Sequence, residues 1–160
     1  MLPDQVYPPA EDSFLLLRAA LREVCETDRV LEVGTGSGYV AAGLLGRAAA
    51  VVATDINPHA VACARSRGVA AIRTDLLSGL SGPFDLILFN PPYLPTAPEE
   101  RISDWLEYAL DGGPTGRVTI ERFVADVGRV LSPFGRVLLL VSSLTGVDEV
   151  RGLFARAGFV

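Results

Sequence analysis

The sequence predicts one α/β domain built on a parallel, doubly wound β-sheet, and two patterns support that prediction. Apolar runs of strand length alternate along the chain with longer segments whose apolar residues have helical spacing. This alternation is typical of parallel sheets whose right-handed crossovers place helices on both faces. In addition, Asp55, Asp75 and Asn90 each follow a strand-like run, at the edge where open α/β sheets bind ligands. We therefore expect a single Rossmann-like domain over residues 1–160.

The composition fits a globular domain and restricts the kind of site that it can carry. Of 160 residues, 49% are hydrophobic, which is enough to bury a core. No apolar run approaches the roughly 18 residues of a membrane span. Cys25 and Cys63 are isolated and there is one histidine, so the usual zinc spacings and a disulfide framework are excluded. We expect no metal site, two cysteines that pack as small buried hydrophobes, and a reducing, cytoplasmic location.

The charge of the chain argues against nucleic acid as a general partner. The formal net charge is −5, and all 14 basic residues are arginines. Non-specific affinity for nucleic acid depends on basic residues that neutralise phosphates, so we expect no duplex nucleic-acid partner. The absence of lysine also excludes Schiff-base chemistry on a lysine side chain.

The first 26 residues are predicted to form an extended lead-in followed by a helix. The lead-in covers residues 3–9, and the helix spans Glu11–Glu26. Asp12 or Ser13 is the expected cap, because short polar side chains accept hydrogen bonds from the first N–H groups of a helix. The apolar stripe expected to face the core consists of Phe14, Leu17, Leu21 and Val24.

The rest of the chain is predicted to alternate strands with helices. The predicted strands are Arg29–Val33, Val51–Asp55, Val69–Thr74, Phe84–Phe89 and Arg136–Val141. The predicted helices are Tyr39–Arg47, Asn57 to about Arg67, Val118–Leu131 and Asp148–Ala157. Asn57 and Pro58 form a strong helix start, because Asn is a favoured cap and Pro suits the first helical position. His59 is expected to face solvent.

The connection Leu94–Arg117 is long for a compact domain and is rich in proline and glycine. Connections of this length are usually functional. Trp105 and Tyr108 lie within it. They suit either a substrate-facing lid or a locally packed helix, and the sequence leaves both alternatives open.

The strand Phe84–Phe89 runs into the motif NPPY, which is the strongest candidate for a catalytic site. Two consecutive prolines cannot donate ladder hydrogen bonds, so the strand ends there, and Pro91 favours an extended Asn90. The result is a stiff platform that presents an amide side chain, a free carbonyl group and an aromatic ring. We expect Asn90, Pro91, Pro92 and Tyr93 to form the catalytic part of the site.

A glycine-rich turn, GTGSG, lies between the first strand and the next helix. Glycine allows a ligand to approach the backbone closely, and the helix start offers free N–H groups. The pattern alone also fits a tight structural turn or a nicotinamide dinucleotide, although the last glycine of GxGxxG is not at the expected place. Glu32, just before the turn, suits a cationic group better than a pyrophosphate.

Two further acids complete a candidate cofactor site. Asp55 ends the second strand at a position where a carboxylate accepts both ribose hydroxyls, with a solvated helix cap as the alternative. Asp75 follows the third strand and is placed to accept an adenine amino hydrogen while Leu76 covers the ring. Acids at three successive strand ends describe an adenosine with an aminoacyl tail and no phosphates, which is S-adenosylmethionine.

These motifs, EVGTGSG, TDINP, TDLL and FNPPY, resemble those of the HemK-like class I methyltransferases. The chain is most similar to their small, single-domain members, the archaeal and eukaryotic enzymes that methylate the glutamine of the GGQ motif in translation release factors. Residues 6–17 resemble that subfamily's YxPAEDTFLLL start, and residues 111–117, continuing to Arg122-Phe123, resemble its DGGxxGR segment. NPPY alone is shared with methyltransferases that act on the amino groups of adenine and guanine.

The resemblance implies a role for each candidate residue. The residues assigned to S-adenosylmethionine are Ser13, Glu32, Gly34, Gly36, Asp55, Ile56, Asp75, Leu76 and Asn90. Glu32 and Gly34 would hold the methionine end of the cofactor, with Ser13 closing over it. Asn90 Oδ1 and the Pro91 carbonyl would each accept an N–H of the substrate amide, so that orientation replaces a conventional general base.

The family fold has the strand order 3-2-1-4-5 and ends with an antiparallel hairpin of strands six and seven. Phe159-Val160 would begin strand six, so we expect this hairpin to be incomplete and Arg136–Val141 to be an exposed edge, open to self-association. The archaeal and eukaryotic enzymes also work with a small zinc-binding activator subunit. It would add to the edge Val69–Thr74 by β-augmentation.

Two competing hypotheses stay open. Within enzymes, the methyl acceptor could be an exocyclic amine of a nucleobase, or a small molecule. From a different class, the chain could be a non-catalytic cofactor-binding scaffold, which the incomplete hairpin favours and the intact NPPY motif opposes.

Overall fold

The computed structural model describes residues 3–96 and 104–160, and one parallel β-sheet organises them. Its strands are β1 (Arg29–Val33), β2 (Ala50–Asp55), β3 (Ala70–Arg73), β4 (Phe84–Phe89) and β5 (Leu131–Leu139). They pair in the order β3-β2-β1-β4-β5, and each neighbouring pair is parallel. The predicted fold class and strand order are therefore confirmed, and β3 and β5 are the edges of this sheet.

Helices cover both faces of the sheet. They are α1 (Glu11–Glu23), α2 (Tyr39–Gly43), α3 (Pro58–Ser66), α4 (Trp105–Tyr108), α5 (Val118–Val127) and α6 (Val147–Arg156). In β4, Leu86 and Leu88 pack into the core formed with α1, α2 and α3, whereas Ile87 and Phe89 pack into the core formed with α5 and α6. Because side chains alternate between the faces of a strand, the apolar run of β4 is buried on both sides.

The helix α1 turns a face to the core that only partly matches the predicted one. Leu16 and Ala20 are its buried residues, whereas Phe14 and Leu21 are 49% and 44% exposed. Leu17 and Val24 pack against the same core as predicted, and Leu17 approaches α2 so closely that a Cβ on Gly43 would lie 2.7 Å from its Cδ1. The prediction was therefore right for Leu17 and Val24 and wrong for Phe14 and Leu21, because the buried face is centred on Leu16 and Ala20.

The start of α1 also differs from the prediction. Ala10 is the N-cap, and neither Asp12 nor Ser13 occupies that position. Asp12 instead accepts a hydrogen bond from the Ser13 N–H at 2.7 Å and another from Asn90 at 3.0 Å. The carboxylate that was expected to cap the helix is therefore directed towards the end of β4.

The strand β5 begins earlier than predicted, and the preceding helix ends earlier. Leu131 pairs with Phe84, and the next paired residue is Arg136 opposite Leu86, so residues 132–135 form a bulge. Phe134 lies in this bulge with φ +64° and a fully exposed side chain. Since β5 already starts at Leu131, the preceding helix α5 ends at Val127 and not at Leu131.

Four smaller predictions can be compared with the structure. The helix α2 ends at Gly43 and not at Arg47, because the N–H groups of residues 44 and 45 donate to carbonyls three residues earlier, as in a tighter turn. His59 is exposed, as predicted. Of the two cysteines that were predicted to be buried, Cys25 is exposed in the turn after α1 and Cys63 is only partly buried, so the prediction was wrong for Cys25. Phe159 lies after α6 with its ring 5.2 Å from that of Phe154, and is not part of a strand.

Over residues 3–96 and 104–160, no helix has the length and apolarity needed to span a membrane.

Candidate active site

A cleft of about 460 Å³ opens where β1, β2 and β4 end. Every residue that the sequence predicted for the site lines it: Ser13, Glu32, Gly34, Gly36, Asp55, Ile56, Asp75, Leu76, Asn90, Pro91, Pro92 and Tyr93. The predicted cofactor residues and the predicted catalytic residues thus share one cavity, at the edge of the sheet where parallel α/β folds bind ligands.

The glycine-rich turn has a backbone conformation that favours glycine. Gly34, Gly36 and Gly38 have φ values of +65°, +53° and +75°, which side chains with a Cβ rarely adopt. At Gly38 a Cβ would also lie 2.6 Å from the Cα of Ala64 in α3. The turn is therefore a tight structural turn, and it also directs the Gly36 N–H towards Asp55, whose Oδ2 lies 2.8 Å away.

Glu32 is a buried carboxyl group beneath this turn. Its Oε2 accepts hydrogen bonds from the Thr35 hydroxyl at 2.6 Å and from the Ala41 N–H at 2.9 Å. Burial raises the pKa of Glu32 to about 7; the two hydrogen bonds oppose this rise, and the charge of Asp55 adds to it. A cation that entered the cleft near Glu32 would stabilise its charged form.

Asp55 ends β2 and is held by the backbone through both carboxylate oxygens. Besides the bond from Gly36, its Oδ1 accepts from the Asn57 N–H at 2.9 Å. Burial raises the pKa of Asp55, and the backbone hydrogen bonds oppose that rise. The cap of α3 is Asn57, as predicted, because its Oδ1 accepts from the His59 N–H at 2.9 Å. Asp55 is thus fixed in place by backbone N–H groups without being the helix cap.

Asp75 is paired with a basic residue that was not predicted to belong to the site. Arg122 Nη2, on α5, lies 2.6 Å from Asp75 Oδ2. Leu76, next in the chain, has a positive φ of +50°. Both Asp75 and Arg122 are about half exposed and line the cleft, so a ligand in this part of the cleft would meet an ion pair and not a lone carboxylate.

Asn90 is held in a defined orientation at the end of β4. Its Nδ2 donates to Asp12 Oδ2 at 3.0 Å. Its Oδ1 is buried and accepts no hydrogen bond within the described part of the chain. A buried acceptor without a partner is costly in a folded protein. The site therefore presents an acceptor whose hydrogen-bonding capacity is satisfied when a ligand supplies an N–H or O–H group.

Aromatic residues from three segments line the same cleft as Asn90. Tyr93 belongs to the platform, Tyr7 to the lead-in, and Trp105 and Tyr108 to α4. Burial raises the pKa of the Tyr7 hydroxyl, with contributions from Asp12 and then Tyr93, so these three groups lie close together.

The connection after the platform contains a short helix, which is one of the two alternatives that the sequence left open. Residues 105–108 form the short helix α4, in which the rings of Trp105 and Tyr108 lie 5.5 Å apart. The guanidinium of Arg73, on the edge strand β3, lies 5.8 Å from the centre of the Trp105 ring. Both aromatic residues also line the cleft. Part of this connection, residues 97–103, lies outside the described residues.

Three residues of the site were not predicted as such from the sequence. Asp12 was assigned to a helix cap, while Tyr7 and Arg122 were noted only within segments that resemble the family. The contacts of Asp12 with Asn90 and of Arg122 with Asp75 join residues 78 and 47 positions apart. Sequence spacing carries no signal for such pairs, although all three residues fall inside the resembling segments.

Acidic, amide and aromatic groups dominate the cleft. Arg122 is the basic residue among its described lining residues, and it is paired with Asp75. Within residues 3–96 and 104–160, no cluster of three or more potential ligands is arranged to hold a metal ion. The site is therefore suited to a ligand with positive charge and hydrogen-bond donors, and poorly suited to phosphates.

Comparison with known proteins gives a consistent set of matches. A family profile described as the methyltransferase small domain matches residues 11–103. A putative protein N5-glutamine methyltransferase of Methanocaldococcus jannaschii is 41% identical, over 99% of this chain and 83% of the relative. A release factor glutamine methyltransferase of Deinococcus radiodurans is also 41% identical, over 82% of this chain. The aligned region is 52% of that relative's length.

A solved structure extends the similarity to three dimensions. The E. cuniculi Mtq2–Trm112 complex, which is described as responsible for the methylation of the translation termination factor eRF1, aligns with a TM-score of 0.77. The identity is 33%, and the alignment covers 96% of this chain and 85% of the matched chain. Both the sequence and the fold of the chain are thus similar to those of methyltransferases that act on glutamine or on a termination factor.

Proposed function

This chain belongs to the family of the protein N5-glutamine methyltransferases, whose small methyltransferase domain it carries, and we propose that it methylates the glutamine side-chain amide in the GGQ motif of a translation release factor. The observation that carries the proposal is the buried Asn90 Oδ1 without a hydrogen-bond partner among the described residues. A primary amide offers N–H donors that fit this acceptor.

The cofactor of the proposal is S-adenosylmethionine, and the chemistry of the cleft fits it. Three carboxylates at successive strand ends suit a cationic ligand, and Glu32 would receive its ammonium group. Asp55 would accept the ribose hydroxyls, and Asp75 Oδ1 and Leu76 would bind the adenine. When bound, S-adenosylmethionine supplies an electrophilic methyl group on a sulfonium.

The platform would prepare the substrate amide for attack. An amide nitrogen is a poor nucleophile because its lone pair is delocalised into the carbonyl group. Asn90 Oδ1 and the Pro91 carbonyl would each accept one N–H and favour the positive charge that develops on the nitrogen. Holding the nitrogen in line can supply several of the ~7–11 kcal/mol attributed to orientation. Tyr93 would pack on the amide plane and keep water out.

A small partner subunit is part of the proposal. The matched structure is a complex with Trm112, and in this chain β3 is an edge of the sheet with an exposed Ile72. Such an edge can accept an added strand. We therefore propose that a small zinc-binding activator subunit adds to β3. Self-association through β5 and a cytoplasmic location stay predictions.

The test is the transfer of a labelled methyl group from S-adenosylmethionine to a release factor. The reaction is run with the wild-type factor and with its GGQ→GGA variant, each with and without a zinc-binding partner subunit. Label on the wild-type factor alone, located on the glutamine by mass spectrometry, supports the proposal. Equal labelling of both factors would contradict it and point to another acceptor. Cofactor binding without transfer in any combination would contradict it in favour of a binding scaffold.

A further inference from the structure

Asn90 can serve the proposed reaction in only one of its two amide orientations. The NH₂ end donates hydrogen bonds and the oxygen end accepts them. A substrate amide that offers N–H groups needs the oxygen end to face it. Because Oδ1 has no hydrogen-bond partner in the described part of the chain, its direction must be fixed through the other end of the amide.

Asp12 fixes that other end. Its Oδ2 accepts from Asn90 Nδ2 at 3.0 Å, while its Oδ1 accepts from the Ser13 N–H at 2.7 Å and from the Ser13 hydroxyl at 3.3 Å. An ionised carboxylate can only accept. If the Asn90 amide turned over, its oxygen would face the oxygen of Asp12, so this orientation is disfavoured.

We propose that Asp12 is a positioning residue that selects the reactive orientation of Asn90, and thereby the preference of the site for acceptors with N–H groups. The inference rests on the proposed function. Asp12 makes no contact with the reacting atoms in this account. It acts through Asn90, and it links the start of α1 to the end of β4 across 78 residues.

The Asp12→Asn variant is a sharp test because asparagine has the same shape but only one acceptor oxygen. Both the Ser13 N–H and Asn90 Nδ2 need an acceptor at residue 12. If the oxygen of the new amide at residue 12 stays with the backbone N–H of Ser13, the NH₂ group of that new amide faces Asn90. The Asn90 amide then turns over and presents its own NH₂ group to the substrate. We expect kcat/KM to fall by about 10²-fold, the lower end of the loss for one preorganised polar contact, with cofactor affinity unchanged.

The matched control is Glu11→Gln. Glu11 directly precedes Asp12 in the first turn of α1 and is exposed, and its substitution by glutamine removes the same charge from the helix start. It should leave kcat/KM unchanged. If Glu11→Gln lost as much activity as Asp12→Asn, the cause would be the charge at the helix start, and the inference would be wrong.

Exchanging Asp12 and Asn90 adds a measurement whose result would not change if Asp12 had only a structural role. In the double variant Asp12→Asn with Asn90→Asp, the carboxylate at residue 90 accepts from Asn at residue 12 with one oxygen and offers the other to the substrate. We therefore expect the double variant to be more active than Asp12→Asn alone. A double variant that is no more active than the single one would overturn the inference.

A spectroscopic measurement separates this inference from the proposed function. In the wild-type protein, a hydrogen-bond scalar coupling is expected between Asn90 Nδ2 and the Asp12 carboxyl carbon, identified by its absence in Asn90→Ala. Its detection supports the inference even if no release factor is methylated, in which case only the proposed function fails. Its absence, or wild-type activity in Asp12→Asn, overturns the inference.

Discussion

Arg122 and Asp75 form an ion pair across the cleft, with Nη2 and Oδ2 2.6 Å apart. The pair joins α5 to the turn after β3, so it connects helical and sheet parts of the adenine side of the proposed site. Both side chains are about half exposed, and pairs of this kind contribute only about 0–1 kcal/mol to stability. Its main consequence is that one oxygen of Asp75 is fixed and the other is left for a ligand.

The substitution Arg122→Gln should therefore affect cofactor affinity more than folding. Without the ion pair, Asp75 is free to rotate, and we expect affinity for S-adenosylmethionine to fall by no more than about fivefold, in line with an exposed ion pair. The difference in cofactor affinity between the variant and the wild type should become smaller at high salt, because about 1 M salt screens the ion pair in the wild-type protein. Calorimetric titration at two salt concentrations measures both effects.

Arg151→Gln is the control for the loss of an arginine. It removes a similar but more exposed pair with Asp148, 3.5 Å apart on α6, and should leave cofactor affinity unchanged. A loss of affinity in Arg122→Gln that persisted undiminished at high salt would show that Arg122 acts on the cofactor by another route.

Burial of Glu32 predicts a pH-dependent stability. Its folded pKa of about 7 is above its ordinary value of 4.5, so between these values the folded protein binds more protons than the unfolded chain. The contribution of Glu32 to the free energy of unfolding is thus fully present below the ordinary pKa and is lost as pH rises through about 7. Glu32→Gln keeps an acceptor for Thr35 and Ala41 and removes this loss. In urea unfolding, the free energy of unfolding of the variant should increase relative to that of the wild type as pH rises, by at most about 3 kcal/mol.

Parallel stability curves for the two proteins between pH 4.5 and pH 7 would contradict this account of Glu32. Asp55 also has a raised pKa and contributes in the same direction. It is present in both proteins, so the difference between the curves reports Glu32 together with its coupling to Asp55.

Cofactor binding should be linked to the same proton. If the ammonium group of S-adenosylmethionine lies near Glu32, it lowers the pKa of that carboxyl group, and binding near pH 6.5 releases a proton. Titration calorimetry in two buffers with different ionisation enthalpies should detect the release in the wild type and not in Glu32→Gln. Equal proton release by both proteins would place the ammonium group elsewhere.

Substitutions at two glycines distinguish the stability cost of backbone strain from the cost of steric contact. Gly38 and Gly46 have φ values of +75° and +76°, but a Cβ at Gly38 would lie 2.6 Å from the Ala64 Cα, whereas at Gly46 it would meet nothing within 4 Å. Gly46→Ala should cost about 1–2 kcal/mol from its left-handed backbone. Gly38→Ala should cost about 1–3 kcal/mol more, from overpacking against α3. Chemical unfolding of both variants tests this, and equal losses would contradict the packing of the turn on α3.

The sequence was sufficient for the features that depend on local signals. The strand β4 and its abrupt end at Pro91 were predicted with the observed bounds, because an apolar run followed by two prolines has few alternatives. The strand-end acids Asp55 and Asp75 were predicted to share a site because the carboxyl ends of parallel strands meet at one edge. The strand order followed from the family resemblance.

The remaining features depend on contacts between distant segments. The buried face of α1 is centred on Leu16 and Ala20, and the size of the apolar side chains on α1 did not by itself identify it. The bonds from Asp12 to Asn90 and from Arg122 to Asp75 form only after the sheet brings α1, β4, β3 and α5 together. Such contacts are properties of the folded chain and have no periodic pattern.

In the proposed reaction, Asn90 orients the acceptor amide and contributes little to cofactor binding. The most direct measurement compares Asn90→Ala with the wild-type protein in single-turnover methyl transfer to the GGQ release factor, with cofactor affinity measured by calorimetry on the same samples. We predict that transfer falls by about 10²-fold or more while cofactor affinity is retained. Unchanged transfer, or a loss of activity fully explained by lost cofactor binding, would contradict the account.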